Sequence, residues 1–124
     1  MEEQTERSIF SRIIAGEIPA DVVYDSDRLI AFRDIAPQAP VHLLVVPKTE
    51  RYRDVVELAA GDPALLAELV ATAKKLADEH SDGDFRLIFN TGAGAGQTVF
   101  HVHAHLLSAN DRGSSLEEGS LAQL

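Results

Sequence analysis

The strongest constraint on the fold is an alternating segment near the end of the chain. His101, His103 and His105 are separated by single apolar residues, and two leucines follow. Successive side chains of an extended strand point to opposite faces, so this spacing predicts a β-strand with three imidazoles on one face, about 6.6 Å apart along the backbone. Imidazole can act as a nucleophile, acid, base or metal ligand near neutral pH. The segment therefore predicts both a strand and a candidate site.

A glycine-rich segment precedes this strand. Gly92, Gly94 and Gly96 lie between Asn90 and Gln97. Glycine lets the backbone approach a ligand closely, and successive backbone N–H groups can bind an anion. The segment predicts an anion-binding loop beside the imidazoles, although an ordinary turn would use glycines in the same way.

Composition limits the class of protein. At 124 residues the chain is expected to form a single domain over residues 1–124, with a polar tail from about residue 110. The net charge of −9 argues against nucleic-acid binding, which needs clustered Lys and Arg. There is no cysteine, which excludes disulfides and thiolate chemistry. The N-terminus lacks a basic segment followed by an apolar one, and no apolar run reaches membrane-spanning length. We therefore expect a cytoplasmic protein with no membrane partner.

Apolar spacing and turn residues predict the order of the elements. A short helix is predicted over residues 8–14, and a long helix from the Asp62 cap and Pro63 to about residue 80. Strands are predicted at residues 21–24, 29–33, 41–47, 85–89 and 101–107. Residues 52–58 form either a turn or a short helix. The expected fold is α+β, with about five mostly antiparallel strands, one long helix and one short helix.

His42 and Asp34 are two further candidate site residues. His42 lies in a near-continuous apolar strand, which is typical of burial on both faces, so it is expected near the core. Taken alone, His42 is better explained as a buried structural histidine. Asp34 begins a loop that contains two prolines and, taken alone, is equally well explained as a turn residue.

Taken together, these segments resemble the histidine triad (HIT) family. The pattern His-φ-His-φ-His-φ-φ, where φ is apolar, covers residues 101–107. Three other segments agree in type and order, at residues 9–19, 34–42 and 96–98. The likeness covers most of the chain up to about Ser108 and is closest to the small purine-nucleoside phosphoramidases. It implies a HIT-like fold.

The resemblance implies a nucleotide hydrolase or nucleotidyl transferase that acts through a nucleotidyl-histidine intermediate. His103 would be the nucleophile, and His105 would contact the phosphate and help to protonate the leaving group. His101 and His42 would orient the nucleophile and relay protons behind it. Chemically, one nitrogen of a neutral imidazole must face the phosphorus while the other is held by a hydrogen-bond partner.

The resemblance also implies the substrate, a purine nucleotide with an AMP or GMP moiety. Asp34 would bind the ribose hydroxyls, since a carboxylate accepts from neighbouring O–H groups. The phosphate and leaving group would be held by Asn90, Gly96, Gln97, Thr98 and the amide of Val99. The base would lie in an apolar slot formed by Ile9, Phe10, Ile13, Phe32, Ile35 and Leu44.

The resemblance further implies a homodimer that pairs across the long helix and an edge strand to give one continuous sheet. Covering the edges of a small apolar sheet also protects it from aggregation. The activity would be hydrolysis of a nucleoside phosphoramidate to a nucleoside monophosphate and an amine.

Two features depart from the family pattern. Some members hold a structural zinc with a Cys-x-x-Cys pair and two histidines, whereas Ser8 and Ser11 occupy the cysteine positions here. Neutral hydroxyls are poor zinc ligands, so neither a metal nor another cofactor is expected. The phosphoramidase branch often carries a tryptophan near the C-terminus, and this chain has none. Hydrolysis of a dinucleoside polyphosphate or another nucleotide ester therefore stays an alternative, as does a non-catalytic nucleotide- or zinc-binding protein.

Overall fold

The computed structural model describes residues 7–109 and Leu116. The helices are α1 (Ile9–Ile14), α2 (Val55–Gly61) and α3 (Pro63–His80), and a 3₁₀ turn covers Ala93–Ala95. The strands are β1 (Val22–Asp25), β2 (Leu29–Arg33), β3 (Val41–Pro47), β4 (Arg86–Ile88) and β5 (Ala104–Ser108). Apart from Leu116, the predicted polar tail lies outside the described residues. Within residues 7–109, no helix combines the length and hydropathy needed to cross a membrane.

The five strands form one antiparallel sheet, as the sequence pattern predicts, and the structure gives their order as β1-β2-β3-β5-β4. The middle strand, β3, is buried along its whole length. β5 pairs with β3 on one side and with β4 on the other, so His105, the second residue of β5, has a strand on each side. This position makes β5 a rigid support for the side chains it carries.

One face of the sheet packs against α3. The helix begins at the Asp62 cap, whose side chain accepts from the Leu65 amide, and Pro63 occupies the first turn. Leu65, Leu69 and Leu76 recur at helical spacing and are buried against strand residues of the larger core cluster. Each fully buried leucine contributes roughly 1.5–3 kcal/mol. This face is therefore the main source of stability.

The opposite face packs against α1. Phe10 lies with Ile30, Phe32, Leu44 and Val46 in a second, smaller buried cluster. The rings of Phe10 and Phe32 meet edge to face with centroids 5.7 Å apart. This smaller layer leaves room on the sheet for a site.

The bounds of β2, β3 and α3 match the predicted ones, but the last strand does not. β5 begins at Ala104, so the prediction of a strand from residue 101, with three histidines on one strand face, is wrong. Residues 101–103 come before the strand ladder, and the Val102 amide donates to the Tyr52 carbonyl at 3.0 Å. The structure also adds α2 at the place where the sequence left a turn or a short helix open. Asp54 caps α2 by accepting from the Glu57 amide.

Candidate active site

The face of the sheet that packs against α1 carries His42 and His105. On the paired strands β3 and β5, His42 lies opposite Leu107 and His105 lies opposite Leu44. Directly opposite residues share a face, and so do residues two apart, so both imidazoles point to the same side. His42 Nε2 lies 3.0 Å from His105 Nδ1. The structure therefore places His42 in the same cluster as the alternating histidines.

His103 lies beside this pair, one residue before β5 begins. The ring centroids of His103 and His105 are 5.4 Å apart, and the ring of Phe10 meets His103 at 4.8 Å. His103 Nδ1 lies 2.9 Å from the main-chain oxygen of His101. A carbonyl oxygen only accepts, so Nδ1 carries the proton and Nε2 of the neutral ring keeps its lone pair. An imidazole nucleophile requires this arrangement.

The hydrogen bonds of His42 fix the tautomer of His105. The Gln38 amide donates to His42 Nδ1 at 3.0 Å, so the proton of a neutral His42 is on Nε2. That proton points to His105 Nδ1, which must then accept. A neutral His105 consequently carries its own proton on Nε2. His103 and His105 thus offer one acceptor nitrogen and one donor nitrogen side by side.

All four histidines of the cluster have lowered pKa values. Burial is the main cause for each, and burial together with the neighbouring His103 and His42 lowers the pKa of His105 to about 4. Burial also lowers the pKa of His103, His101 and His42, while the Asp34 carboxylate partly offsets this for His42. The cluster is therefore neutral near pH 7. An anionic phosphate bound beside His105 would raise its pKa again.

His101 is the most deeply placed of the three alternating histidines, with 2% of its surface exposed. Its Nε2 lies 2.7 Å from the Pro47 oxygen, and its Nδ1 lies 3.0 Å from Ser8 Oγ and 3.3 Å from Ser11 Oγ. The ring thus anchors residue 101 to the end of β3 and to the start of α1. The resemblance implied a proton relay through the rings of His101 and His42 behind the nucleophile, and the observed contacts differ from it. The main-chain oxygen of His101 meets His103, and His42 meets His105.

The glycine-rich loop is held by Gln97, which is 3% exposed. Its Oε1 accepts from the Gly92 amide at 2.8 Å, and its Nε2 donates to the carbonyls of Arg53 and Val99 at 2.7 and 3.1 Å. The positive φ angles of Gly92 (89°) and Gly96 (97°) favour glycine. The Gln97 side chain is thus occupied in shaping the loop, and its predicted contact with the phosphate stays a prediction. Of the other predicted phosphate contacts, Thr98 is exposed, and Asn90 and Val99 are half-buried.

Asp34 lies at the edge of the histidine cluster, as expected for a site residue, but it already has partners. Its Oδ1 accepts from the Ala36 amide at 2.8 Å, and its Oδ2 lies 3.5 Å from His42 Nε2. The Asp34 amide donates to the His42 oxygen at 3.0 Å. Asp34 therefore stabilises the turn through Oδ1 and also lies beside the histidine cluster through Oδ2. Its predicted role towards a ribose stays a prediction.

The six residues predicted to form the apolar slot fall into two groups with different solvent exposure. Four of its six residues form or contact the small buried cluster: Phe10, Phe32, Leu44 and Ile13. The other two are open to solvent, with Ile35 99% and Ile9 48% exposed. An isoleucine as exposed as Ile35 buries no apolar surface in the described chain, so it is free to cover a bound apolar group.

With this geometry established, comparison with known proteins identifies the family. The HIT domain family matches residues 15–112. The chain belongs to the HIT family. The purine nucleoside phosphoramidase of Escherichia coli strain K12 is 40% identical over 118 residues, which cover 94% of this chain and 98% of that protein. An uncharacterized HIT-like protein of Synechococcus elongatus is 49% identical over 104 residues, covering 83% and 90% respectively.

Solved structures of HIT proteins share the fold. A HIT family hydrolase from Legionella pneumophila superposes with a TM-score of 0.81 at 40% identity, covering 91% of this chain and 98% of that one. A histidine triad protein from Clostridium difficile superposes with a TM-score of 0.79 at 37% identity, covering 91% and 97%. These matches confirm the α+β HIT fold expected from the sequence. The hydrolases among them support hydrolase activity in general.

This chain lacks the metal-binding cysteine side chains that zinc-holding HIT proteins provide. The hydroxyls of Ser8 and Ser11 contact His101 Nδ1 where thiolates would be needed, so these residues do not fit a structural zinc. A different group, Asp34, His42 and His105, places three potential ligand atoms within 4.8 Å of one another. Binding there would displace the proton between His42 and His105.

Several residues that shape this HIT site were missed as site residues in the sequence. Pro47, Tyr52 and Gln38 contribute main-chain groups, which leave no side-chain signal. Ser8 and Ser11 were considered only as replacements for zinc ligands. Ser8 was predicted only as the first residue of a short helix, whereas the structure makes it the helix cap, and no sequence pattern indicated that both hydroxyls meet a histidine 90 or more positions later.

Proposed function

We propose that this protein hydrolyses purine-nucleoside phosphoramidates to a nucleoside monophosphate and an amine, with His103 as the nucleophile. The observation that carries this proposal is the 2.9 Å contact between His103 Nδ1 and the His101 oxygen. It leaves Nε2 with a lone pair at neutral pH. The E. coli phosphoramidase, at 40% identity over nearly the whole chain, supports the substrate class.

In the first step His103 Nε2 attacks the α-phosphorus and the bond from phosphorus to the amine nitrogen breaks. The leaving amine takes a proton from His105 Nε2. The anionic phosphate raises the pKa of His105 when it binds, so the complex carries the extra proton that this step requires. The added proton lies on His105 Nδ1, so the His42 Nε2 proton must move away from His105 Nδ1 and towards the Asp34 carboxylate, 3.5 Å from His42 Nε2, which balances the added charge.

In the second step water attacks the phosphorus of the nucleotidyl-His103 intermediate. His105, neutral after the first step, takes a proton from that water. The bond between phosphorus and His103 Nε2 breaks and its electron pair returns to the imidazole. The nucleoside monophosphate leaves, and both histidines regain their starting protonation states.

The remaining predicted residues have distinct proposed roles in substrate binding. Thr98 and the amide of Val99 would donate to the phosphate at the end of the loop that Gln97 holds. Asp34 would accept from the ribose hydroxyls through Oδ2, which is directed towards the cluster. The base would pack on Phe10 and its buried neighbours, with exposed Ile35 covering it.

A homodimer is part of the proposal. β4 is an edge strand of the sheet, and Val70 of the adjacent helix α3 is a large apolar residue exposed to solvent. Pairing two copies across β4 and α3 would cover both features and extend the sheet. Light scattering at micromolar concentration should give twice 13.4 kDa. A single 13.4 kDa species would contradict the dimer.

The experiment that tests the proposed activity is a hydrolysis panel. It compares adenosine and guanosine phosphoramidates, dinucleoside polyphosphates and nucleotide sugars, each with wild type, His103→Ala and His80→Ala. His80, at the end of α3, is a matched histidine outside the cluster. We expect the phosphoramidates to turn over fastest, with His80→Ala unchanged. Faster hydrolysis of a dinucleoside polyphosphate would give the nucleotide-ester alternative, and no turnover of any compound would overturn the enzyme assignment.

A second candidate function, metal binding without catalysis, is favoured by the Asp34, His42 and His105 group. Two imidazoles and one carboxylate form a donor set that zinc accepts. Calorimetric titration with zinc, compared between wild type and His42→Ala, measures it. Sub-micromolar binding that His42→Ala removes, together with an inactive hydrolysis panel, would favour this function over catalysis.

A further inference from the structure

The nucleophile's hydrogen-bond acceptor lies outside the sheet. The His101 oxygen that holds the His103 proton precedes β5, which begins at Ala104. Within residues 101–103 the Val102 amide has one main-chain bond, to Tyr52. The position of the carbonyl therefore depends strongly on what holds the His101 side chain.

That side chain is held at both ring nitrogens. His101 Nε2 meets the Pro47 oxygen at 2.7 Å, and because a carbonyl only accepts, Nε2 carries the proton. Nδ1 of the neutral ring must then accept a hydrogen bond, and its two partners are the hydroxyls of Ser8 and Ser11 at 3.0 and 3.3 Å. The low exposure of His101 and its lowered pKa agree with a neutral ring.

Either of the two hydroxyls can donate the hydrogen bond to His101 Nδ1. Ser8 Oγ accepts from the Ser11 amide as the helix cap and lies 3.2 Å from Ser11 Oγ. One hydroxyl proton can therefore point to the other serine while the second points to His101 Nδ1. Either serine can be the donor. Removing one leaves the other to supply the proton.

We propose that the Ser8–Ser11 hydroxyl pair is a positioning element for the nucleophile. One hydroxyl donates to His101 Nδ1, which fixes the His101 ring between α1 and β3. The fixed ring holds the main-chain oxygen that keeps the proton on His103 Nδ1. The proposal rests on the proposed function in one respect: His103 is taken as the attacking residue.

The position of Phe10 gives independent support. Phe10 lies between the two serines on α1, and its ring contacts both His103, at 4.8 Å, and His101, at 6.1 Å. The same short helix thus packs on the nucleophile directly and holds its acceptor through the serines. A loss of the hydroxyl contact would affect the orientation of the His103 ring more than its burial.

The test uses two variants that both keep a cap at the start of α1. Ser8→Thr with Ser11→Ala keeps a cap and a hydroxyl donor. Ser8→Gly with Ser11→Ala keeps a residue that helices accept at the N-cap but removes both hydroxyl donors. The single variants Ser8→Ala and Ser11→Ala each leave one donor. Thermal unfolding verifies that all four fold.

The activity readout separates positioning from general damage. We expect kcat, measured with an adenosine phosphoramidate, to fall by about 10- to 100-fold in the Gly variant, as small misplacements of reacting groups do. The KM and the affinity for AMP should stay within about twofold. The Thr variant and both single variants should retain kcat within about threefold. A Gly variant with wild-type kcat, or one whose AMP affinity falls in proportion to kcat, overturns the proposal.

A spectroscopic readout does not depend on activity. Two-bond ¹H–¹⁵N spectra report which imidazole nitrogens carry protons. In the wild type, His101 should be protonated at Nε2 only and His103 at Nδ1 only. In the Gly variant the His101 oxygen is no longer fixed in place, so His103 should populate both tautomers. A wild-type His101 protonated at Nδ1 overturns the serine pair as donor, whereas correct tautomers in a protein that hydrolyses no nucleotide overturn the proposed function alone.

Discussion

The main-chain oxygen of His101 lies 2.9 Å from His103 Nδ1. This contact has two chemical consequences. It leaves a lone pair on Nε2, the nitrogen that attacks phosphorus in the proposed mechanism. After attack, a nucleotidyl imidazole that keeps its Nδ1 proton is a cation, and a carbonyl dipole beside that proton stabilises the charge while leaving the phosphorus–nitrogen bond easy to hydrolyse.

The first prediction is that His103→Ala abolishes nucleotidyl turnover while the fold and much of the nucleotide affinity remain. Wild-type protein quenched during turnover should carry a nucleoside monophosphate on the peptide that contains His103. The adduct should be labile to acid and stable to alkali, as expected for a phosphorus–nitrogen bond. Mass spectrometry of the digested protein makes the measurement. Mapping of the adduct to His101 or His105 would contradict the mechanism.

The variants of the other three histidines in the cluster should lose turnover rate to different extents. His101→Ala and His42→Ala should reduce the rate less than His103→Ala, because water partly replaces an orienting group. His105→Ala should lose about 10²–10⁴-fold for a poor leaving group, the usual value of a general acid. It should lose little for a leaving group that departs without a proton. Equal losses for both kinds of leaving group would show that His105 is not the acid.

The second prediction concerns stability against pH. Because the folded-state pKa of His105 is lowered to about 4, the unfolded chain binds more protons than the folded one between about pH 6.5 and 4. The free energy of unfolding should therefore fall as the pH is lowered through this window, by at most about 1.4 kcal/mol per pH unit from this one group. This loss of unfolding free energy is complete below about pH 4 and absent above the pKa that His105 has in the unfolded chain.

His105→Gln provides the matched control, since it keeps a polar side chain without a titrating ring. Denaturant titrations at pH 7, 6, 5 and 4 should show a shallower loss of stability for this variant than for wild type. Identical slopes for His105→Gln and wild type would mean that His105 titrates normally in the folded protein.

Local pattern predicted most of the fold. The bounds of β3 and α3 followed from a continuous apolar run and from a cap with Pro63 in the first turn, because burial and capping determine those elements locally. Residues 101–103 alternate like a strand but lie outside the ladder. There the Val102 amide pairs with the Tyr52 carbonyl, a contact between segments 50 residues apart.

The identity of the histidines was predictable, but their partners were not. Alternation indicated that His101, His103 and His105 belong together, and the resemblance added His42. Which nitrogen of each ring carries the proton depends on acceptors such as the Pro47 oxygen and donors such as the Gln38 amide. Main-chain groups have no residue signature, so this level of the site requires the three-dimensional structure.

The third prediction concerns Asp34. Asp34→Ala should weaken nucleotide binding mainly through the ribose, so ribonucleotides lose their advantage over 2′-deoxy analogues. Loss of one charged acceptor to a hydroxyl costs about 1.5–3 kcal/mol. Asp34→Asn is the control, because an amide oxygen keeps the 2.8 Å contact with the Ala36 amide but lacks the charge. An unchanged sugar preference in Asp34→Ala would place the ribose elsewhere.

The fourth prediction is that purified protein holds no stoichiometric zinc and that chelators change neither stability nor activity. The hydroxyls of Ser8 and Ser11 are directed to His101 Nδ1, which would itself have to give up its hydrogen bond to bind a metal. Elemental analysis and thermal unfolding with and without a chelator make the measurement. One tightly held zinc per chain, lost together with stability on chelation, would contradict it.

The fifth prediction concerns Gln97, whose amide holds the glycine loop from within. Gln97→Glu keeps an oxygen for the Gly92 amide but replaces a donor with an acceptor facing the carbonyls of Arg53 and Val99. A fully buried carbonyl left without a donor costs about 1–3 kcal/mol, and because these two carbonyls are only partly buried, denaturant unfolding should show a loss of stability of at most this size for each. The affinity for AMP should fall further than for Thr98→Ala, because the whole phosphate loop shifts rather than one donor being removed. Wild-type stability and AMP affinity in Gln97→Glu would show that the loop keeps its shape without this side chain.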